Sequence, residues 1–187
     1  MAASILNLAA PFHILTYGTL LGTSLFHTFI NSPVLFKNTE RPVFSAIQTK
    51  LFPLYFGIQA AAPVILALTF PGNILLGFES GISGLLYDGN RWSSLVPIGF
   101  MVISGAFNLT VLLPASRKVM KDRYGQGKRD GKEWYEPGEK SEAMKKLSKR
   151  FGMLHGISSL LNLGTFIAAV SYGVTLGYRI QSVADRL

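Results

Sequence analysis

Three histidines, His13, His27 and His155, and no cysteine set the limits of the chemistry open to this chain. His155 lies in Gly152-Met-Leu-His-Gly-Ile-Ser-Ser-Leu-Leu-Asn-Leu-Gly164, one turn from Ser158 and Ser159. Serine hydrolysis needs a histidine oriented by a buried acid. The run from Phe151 to Tyr178 has no acidic residue. His27 and His155, even if they met across helices, lack the carboxylate or thiolate that completes a zinc site. Without cysteine there is no disulfide, thiolate ligand or cysteine nucleophile. Glu136, Glu139 and Glu142 stand three apart with no acid/base partner and read as a solvated face. Gly125-Gln-Gly-Lys-Arg-Asp-Gly131 lacks the Lys-Ser or Lys-Thr pair of a phosphate loop, and no strand precedes it. It reads as a flexible turn. No catalytic residue, metal site or cofactor is assigned, and the chain is read as a non-enzyme.

The elements that position these groups are apolar. Charged residues make up 15% of the chain and hydrophobic ones 49%, against about a quarter charged in soluble domains. No Asp, Glu, Lys or Arg occurs in Met1–Phe36, Leu51–Phe78, Trp92–Ser116 or Phe151–Tyr178. Each run holds about 20 residues suited to a hydrocarbon core roughly 30 Å thick. The expected fold is all-α: an integral membrane four-helix bundle forming a single domain over 1–187. Its spans are near 12–31, 51–70, 92–113 and 151–178. Helices three and four extend into the cytosol through a loop at 115–150. Pro63 cannot donate to the carbonyl of Gln59, which predicts a kink in span two.

Each predicted helix carries a polar stripe. His155, Ser158, Ser159 and Asn162 share a face at 3.6 residues per turn, with Gly152 and Gly156 beside them. Span one aligns His13, Thr16, Tyr17, Ser24, His27, Thr28 and Asn31, with Gly18 and Gly22 nearly opposite. Gln48, Tyr55 and Gln59 mark span two, and Ser104 and Asn108 span three. Lipid offers such groups no partner, so the stripes should face one another, with glycines bringing backbones together. The candidate cluster is His27, Asn31, Tyr55, Gln59, Ser104, Asn108, His155, Ser158, Ser159 and Asn162, converging in the cytosolic half. His155 is expected to bond across the bundle to Asn108 or His27. The cluster reads either as a structural hydrogen-bond network or as a small-molecule site.

Charge sets the orientation. Lys37, Arg41 and Lys50 lie in the first loop, and twelve Lys and Arg lie between Arg117 and Arg150. The opposite side has Arg91, Arg179 and Arg186. The positive-inside rule puts loops one and three in the cytosol and both termini across the membrane. This accounts for the net charge of +8 without nucleic acid. Tyr87, Trp92, Tyr172 and Tyr178 are expected at the far interface. Lys145, Lys146, Lys149 and Arg150 are candidates for contact with anionic lipid headgroups; the alternative is a solvated face. The lipid bilayer is the expected partner, and homo-oligomerisation is left open. The start of the chain has no basic region of a signal peptide or presequence.

Thr49-Lys-Leu-Phe-Pro-Leu-Tyr-Phe56, Leu154-His-Gly-Ile-Ser-Ser-Leu-Leu-Asn-Leu-Gly164, and Asn108 followed by Pro114 and Arg117 resemble the transmembrane protein 205 family. The resemblance implies a four-span membrane protein of eukaryotic type, in an endomembrane or organelle membrane. It implies no reaction. Its motif positions here are Leu51, Phe52, Pro53, Tyr55, Phe56, Asn108, Pro114, His155, Gly156, Ser158, Ser159 and Asn162. The expected role is non-enzymatic support of transport or membrane organisation; the alternative is a small carrier with a polar cavity open to the cytosol.

Overall fold

In a computed structural model the chain is all-helical among the described residues, 2–72 and 79–185. Side chains are described from residue 9 onward, apart from 183 and 184. The helices are α1 (Ala2–Leu25), α2 (Ser32–Asn38), α3 (Arg41–Leu68), α4 (Gly81–Leu85), α5 (Val96–Phe107), α6 (Leu113–Asp130) and α7 (Glu142–Ala184). Three π-helical turns join them into longer rods: Phe26–Asn31, Arg91–Leu95 and Asn108–Leu112.

Proline explains those wide turns. Each π segment is followed directly by a helix with a proline in its first two positions: Pro33, Pro97 and Pro114. A proline has no N–H for the carbonyl four residues back, and its ring pushes that carbonyl away. The preceding turn widens, and the helix continues. Pro53 and Pro63 lie inside α3, which runs unbroken from Arg41 to Leu68.

Three helical stretches are long and apolar enough to cross a membrane: Arg41–Leu68, Asp88–Asp130 and Glu142–Ser182. They overrun the expected spans mainly on one side, where α3 begins at Arg41, α6 continues to Asp130 and α7 begins at Glu142. The rod holding α1 is absent from that set among the described residues.

Neighbouring helices pack in sequence: α1 on α3, α3 on α5, α5 on α7, and α7 back on α1. Every pair is antiparallel. Thr28 meets Tyr55 while His13 meets Thr69, and Ser104 meets Thr165 while Asn108 meets Asn162. An apolar core of Leu20, Leu66, Phe70, Ile98, Met101, Ala169 and Tyr172 fills one end.

The long hydrophilic segment is a helical hairpin. The expected flexible turn at Gly125–Gly131 is helical up to Asp130, and the chain turns only at Gly131, with φ +62°. Gly127 is buried, and a Cβ there would come within 3.3 Å of Lys132 O and Glu133 Oε2. The glycine therefore serves close packing of the returning chain inside a helix. Arg123 is 7% exposed, its guanidinium 4.4 Å from the Trp134 ring centre and 5.0 Å from that of Phe151. Burial lowers its pKa, but an arginine so placed keeps its charge and pins the hairpin by cation–π attraction. Ser141 caps α7 by accepting from the Met144 N–H and donates to Asp130. Glu136 and Glu139 lie in the connection and only Glu142 in α7, so the three acids do not share a helix face.

Candidate functional site

The polar stripes meet in pairs, in layers along the helices. Between α1 and α3, Asn31 donates to His27 Nδ1 (3.2 Å). His27 Nε2 lies 3.4 Å from Ser32 Oγ, which also accepts from Gln48 (3.0 Å). The His27 ring lies against Tyr55, centroids 4.4 Å apart. One turn on, Gln59 donates to Tyr55 Oη (2.8 Å) and to Ser24 Oγ (3.5 Å), while Tyr55 Oη lies 3.4 Å from Thr28 Oγ1.

A second group joins α5 to α7. Asn108, fully buried, donates to Asn162 Oδ1 (3.1 Å) and accepts from Ser158 (2.7 Å). Ser104 and Thr165 hydroxyls are 2.6 Å apart. Of the ten candidate residues, eight enter these two groups. The predicted single cluster is therefore divided: His27, Asn31, Tyr55 and Gln59 on one side, Ser104, Asn108, Ser158 and Asn162 on the other.

His155 and Ser159 join neither. Both are exposed and make no hydrogen bond. His155 stacks on Phe151 instead, centroids 5.9 Å apart with planes at 5°. The expected bond to Asn108 or His27 is absent, for a geometric reason. The inward line of α7 runs through Leu154, Ser158, Thr165, Ala169 and Tyr172. At 100° per residue His155 lies about 70° off that line and Ser159 about 110°. The stripe shares a face, but its centre is rotated from the buried one.

The glycines are redistributed as well. A Cβ on Gly18, Gly22, Gly152 or Gly156 would meet nothing within 4 Å, so these do not bring helices together. Gly105, Gly164 and Gly173 do: their Cβ positions fall 2.3 Å from Gln59 O, 2.7 Å from the Phe100 ring and 1.8 Å from Tyr17 Oη.

A third group was missed except for its histidine. His13, 1% exposed, has Nδ1 3.0 Å from Thr69 Oγ1 and Nε2 2.6 Å from Tyr172 Oη. It ties α1 to Thr69 at the end of α3 and to Tyr172 within α7. Tyr172, expected at an interface, is fully buried. Tyr87, Trp92 and Tyr178 are exposed. The signal for Tyr172 was its place on the line of Ser158 and Thr165.

Prolines supply acceptors between helices. The Thr49 carbonyl, four before Pro53, accepts from Arg117 (2.9 Å). The Ser93 carbonyl, four before Pro97, accepts from Thr175 (3.2 Å). The Gln59 carbonyl, four before Pro63, faces Gly105. That oxygen, left without its helical donor by Pro63, is thus used for close contact. Lys145, Lys146, Lys149 and Arg150 are all exposed, with Lys145 2.8 Å from Glu142. Among the described residues no three His, Asp or Glu side chains gather as metal ligands.

A family model described as "Domain of unknown function (DUF4149)" matches residues 15–125. That stretch contains the Thr49–Pro53–Arg117 connection and Asn108. A curated relative, "Xanthocillin biosynthesis cluster protein D" of Aspergillus fumigatus, is 30% identical over 166 residues, 89% of this chain and 87% of its own length. No solved structure matches the chain. With its match reaching from α1 to α6, the chain belongs to the DUF4149 family.

Proposed function

We propose that the chain is a four-span, non-enzymatic membrane protein supporting transport or membrane organisation, its polar residues holding the helices in register. One observation carries this: the distribution of polarity is inverted. His13, Ser24, Gln59, Ser104, Asn108 and Thr165 are at most 1% exposed, while Leu15, Leu54, Ile103, Leu160 and Trp92 are at least 67% exposed. In water that arrangement is unfavourable; in lipid it satisfies both classes of side chain. α1 is the fourth span in this reading. It runs antiparallel to α3 from His13 against Thr69 to Ser32 against Gln48, so it occupies the depth that α3 crosses. His13, Ser24 and His27 of its rod turn inward, and Phe12, Ile14, Leu15, Phe26 and Phe29 turn out. The resemblance to the transmembrane protein 205 family supports the same count. By the positive-inside rule the α6–α7 hairpin and the α2–α3 turn lie in the cytosol, and the family resemblance implies a eukaryotic endomembrane or organelle membrane.

The pairing of the stripes favours a scaffold. One feature supports the carrier alternative: Gln48 Oε1 and Gln59 Oε1 are buried without a partner among the described residues. The name of the fungal relative, which ties that protein to a biosynthesis cluster, is compatible with a cargo. Gln59→Leu separates the readings. In a scaffold the variant melts below wild type in detergent, since Tyr55 and Ser24 lose their donor, at about 1–3 kcal/mol. An unchanged melting temperature would favour the carrier.

A further inference from the structure

We propose that the outer face of α7 at its hydrophilic end, formed by Lys145, Lys149, Gly152, His155, Gly156 and Ser159, holds the headgroup of an anionic phospholipid. The proposal rests on the membrane reading above and names a partner for it.

The face is continuous. At 100° per residue Lys145, Lys149, Gly152, Gly156 and Ser159 fall within about 80° of one another, nearly opposite the buried line, with His155 at their edge. All six residues are exposed. Two lysines stand where the helix leaves the apolar run, Lys145 paired with Glu142 at 2.8 Å and Lys149 without an ion pair among the described residues, and two glycines follow with open space above them. Beside that space are an imidazole and a hydroxyl with no hydrogen bond. Thr19, Thr23 and Thr110 donate to carbonyls four residues back in their own helices, at 2.6–2.8 Å, whereas Ser159, like Ser171 farther along α7, makes no such bond. His155 has no such recourse, because imidazole is too large to bond its own backbone in a helix. An unpaired polar group facing lipid is unfavourable, so a partner with acceptors is called for.

Charge selects the occupant. A second copy packed through this face, parallel in the same membrane, would bring Lys145 and Lys149 against their own counterparts. A phospholipid does the opposite. Its phosphate accepts from Lys149 and His155, an ester oxygen accepts from Ser159, and the acyl chain follows the glycine track between Met153, Leu160 and Leu163, all outward-facing. A net negative headgroup is required because a zwitterionic one cancels the attraction.

The test uses the full-length protein in nanodiscs of phosphatidylcholine with increasing phosphatidylserine, reading bound phosphatidylserine by native mass spectrometry. Wild type should retain phosphatidylserine over phosphatidylcholine. Lys149→Gln should weaken retention about fivefold, the effect of one basic contact at an anionic surface, and His155→Leu should weaken it by less, through loss of one neutral donor to the phosphate. Gly156→Leu, which fills the track, should abolish it, and Lys128→Gln, on the far half of the hairpin, should not change it. Glycerophosphoserine, the soluble headgroup of phosphatidylserine, should not compete. Equal retention in all variants would overturn the proposal, as would competition by glycerophosphoserine. A Gly156→Leu variant that turned a wild-type dimer into a monomer would overturn it in favour of a second copy. Failure of the membrane reading shows separately, as a protein that alkaline carbonate releases from membranes.

Discussion

Asn108 uses both ends of its amide, donating to Asn162 and accepting from Ser158. His13 likewise uses both ring nitrogens, on Thr69 and Tyr172. Interhelical hydrogen bonds in membranes average only about 0.6 kcal/mol, but an orphaned buried group costs about 1–3 kcal/mol. Residues with two buried partners should therefore dominate the stability of the bundle. Asn108→Ala and His13→Leu should each lower unfolding free energy in detergent by about 1–3 kcal/mol. His155→Leu should change it by less than about 0.5 kcal/mol, since surface substitutions without partners do. Steady-state denaturation of the three variants checks the order; a His155→Leu loss equal to that of His13→Leu would contradict it. Residue types were legible in the sequence, and eight of ten candidates do pair. Which histidine pairs was not legible, because a stripe's periodicity fixes its face only to within about 60°. His155 and Ser159 fell on the wrong side of that margin.

At the scale of elements, proline and glycine decide how the rods meet. Pro63 removes the donor for the Gln59 carbonyl, and Gly105 of α5 lies against that oxygen. Gly105→Ala would drive a methyl to 2.3 Å from it. Backbone cannot yield as a side chain can, so the substitution should destabilise by about 1–3 kcal/mol. Gly22→Ala, with nothing within 4 Å, should instead stabilise by up to about 1 kcal/mol through helix propensity. Paired thermal melts of these two variants measure the contrast; the same sign in both would refute the packing described. Pro33, Pro97 and Pro114 could have announced the π turns, since each removes a backbone donor inside a continuing apolar run. The hairpin was less legible. Gly125 and Gly127 look like turn residues in isolation, and only the packing of Lys132 and Glu133 against Gly127 shows why a helix keeps them.

Over the whole molecule, the sequence divides cleanly into apolar rods and one basic hairpin, and three of those rods meet the length and hydropathy that a membrane demands. The first rod was harder to judge. Its polar residues are spread around the helix, Thr19 exposed and Ser24 buried, and only the partnership with α3 tells which of them face inward. The central claim is that α1 crosses alongside the other three. The chain has no cysteine, so single cysteines at Ala3, Gln126 and Ser182 can be labelled with a membrane-impermeant maleimide before and after permeabilisation. Gln126 should react from the cytosolic side, and Ala3 and Ser182 only from the other. If Ala3 reacts from the same side as Gln126 while Ser182 does not, α1 does not cross and the four-span account is wrong.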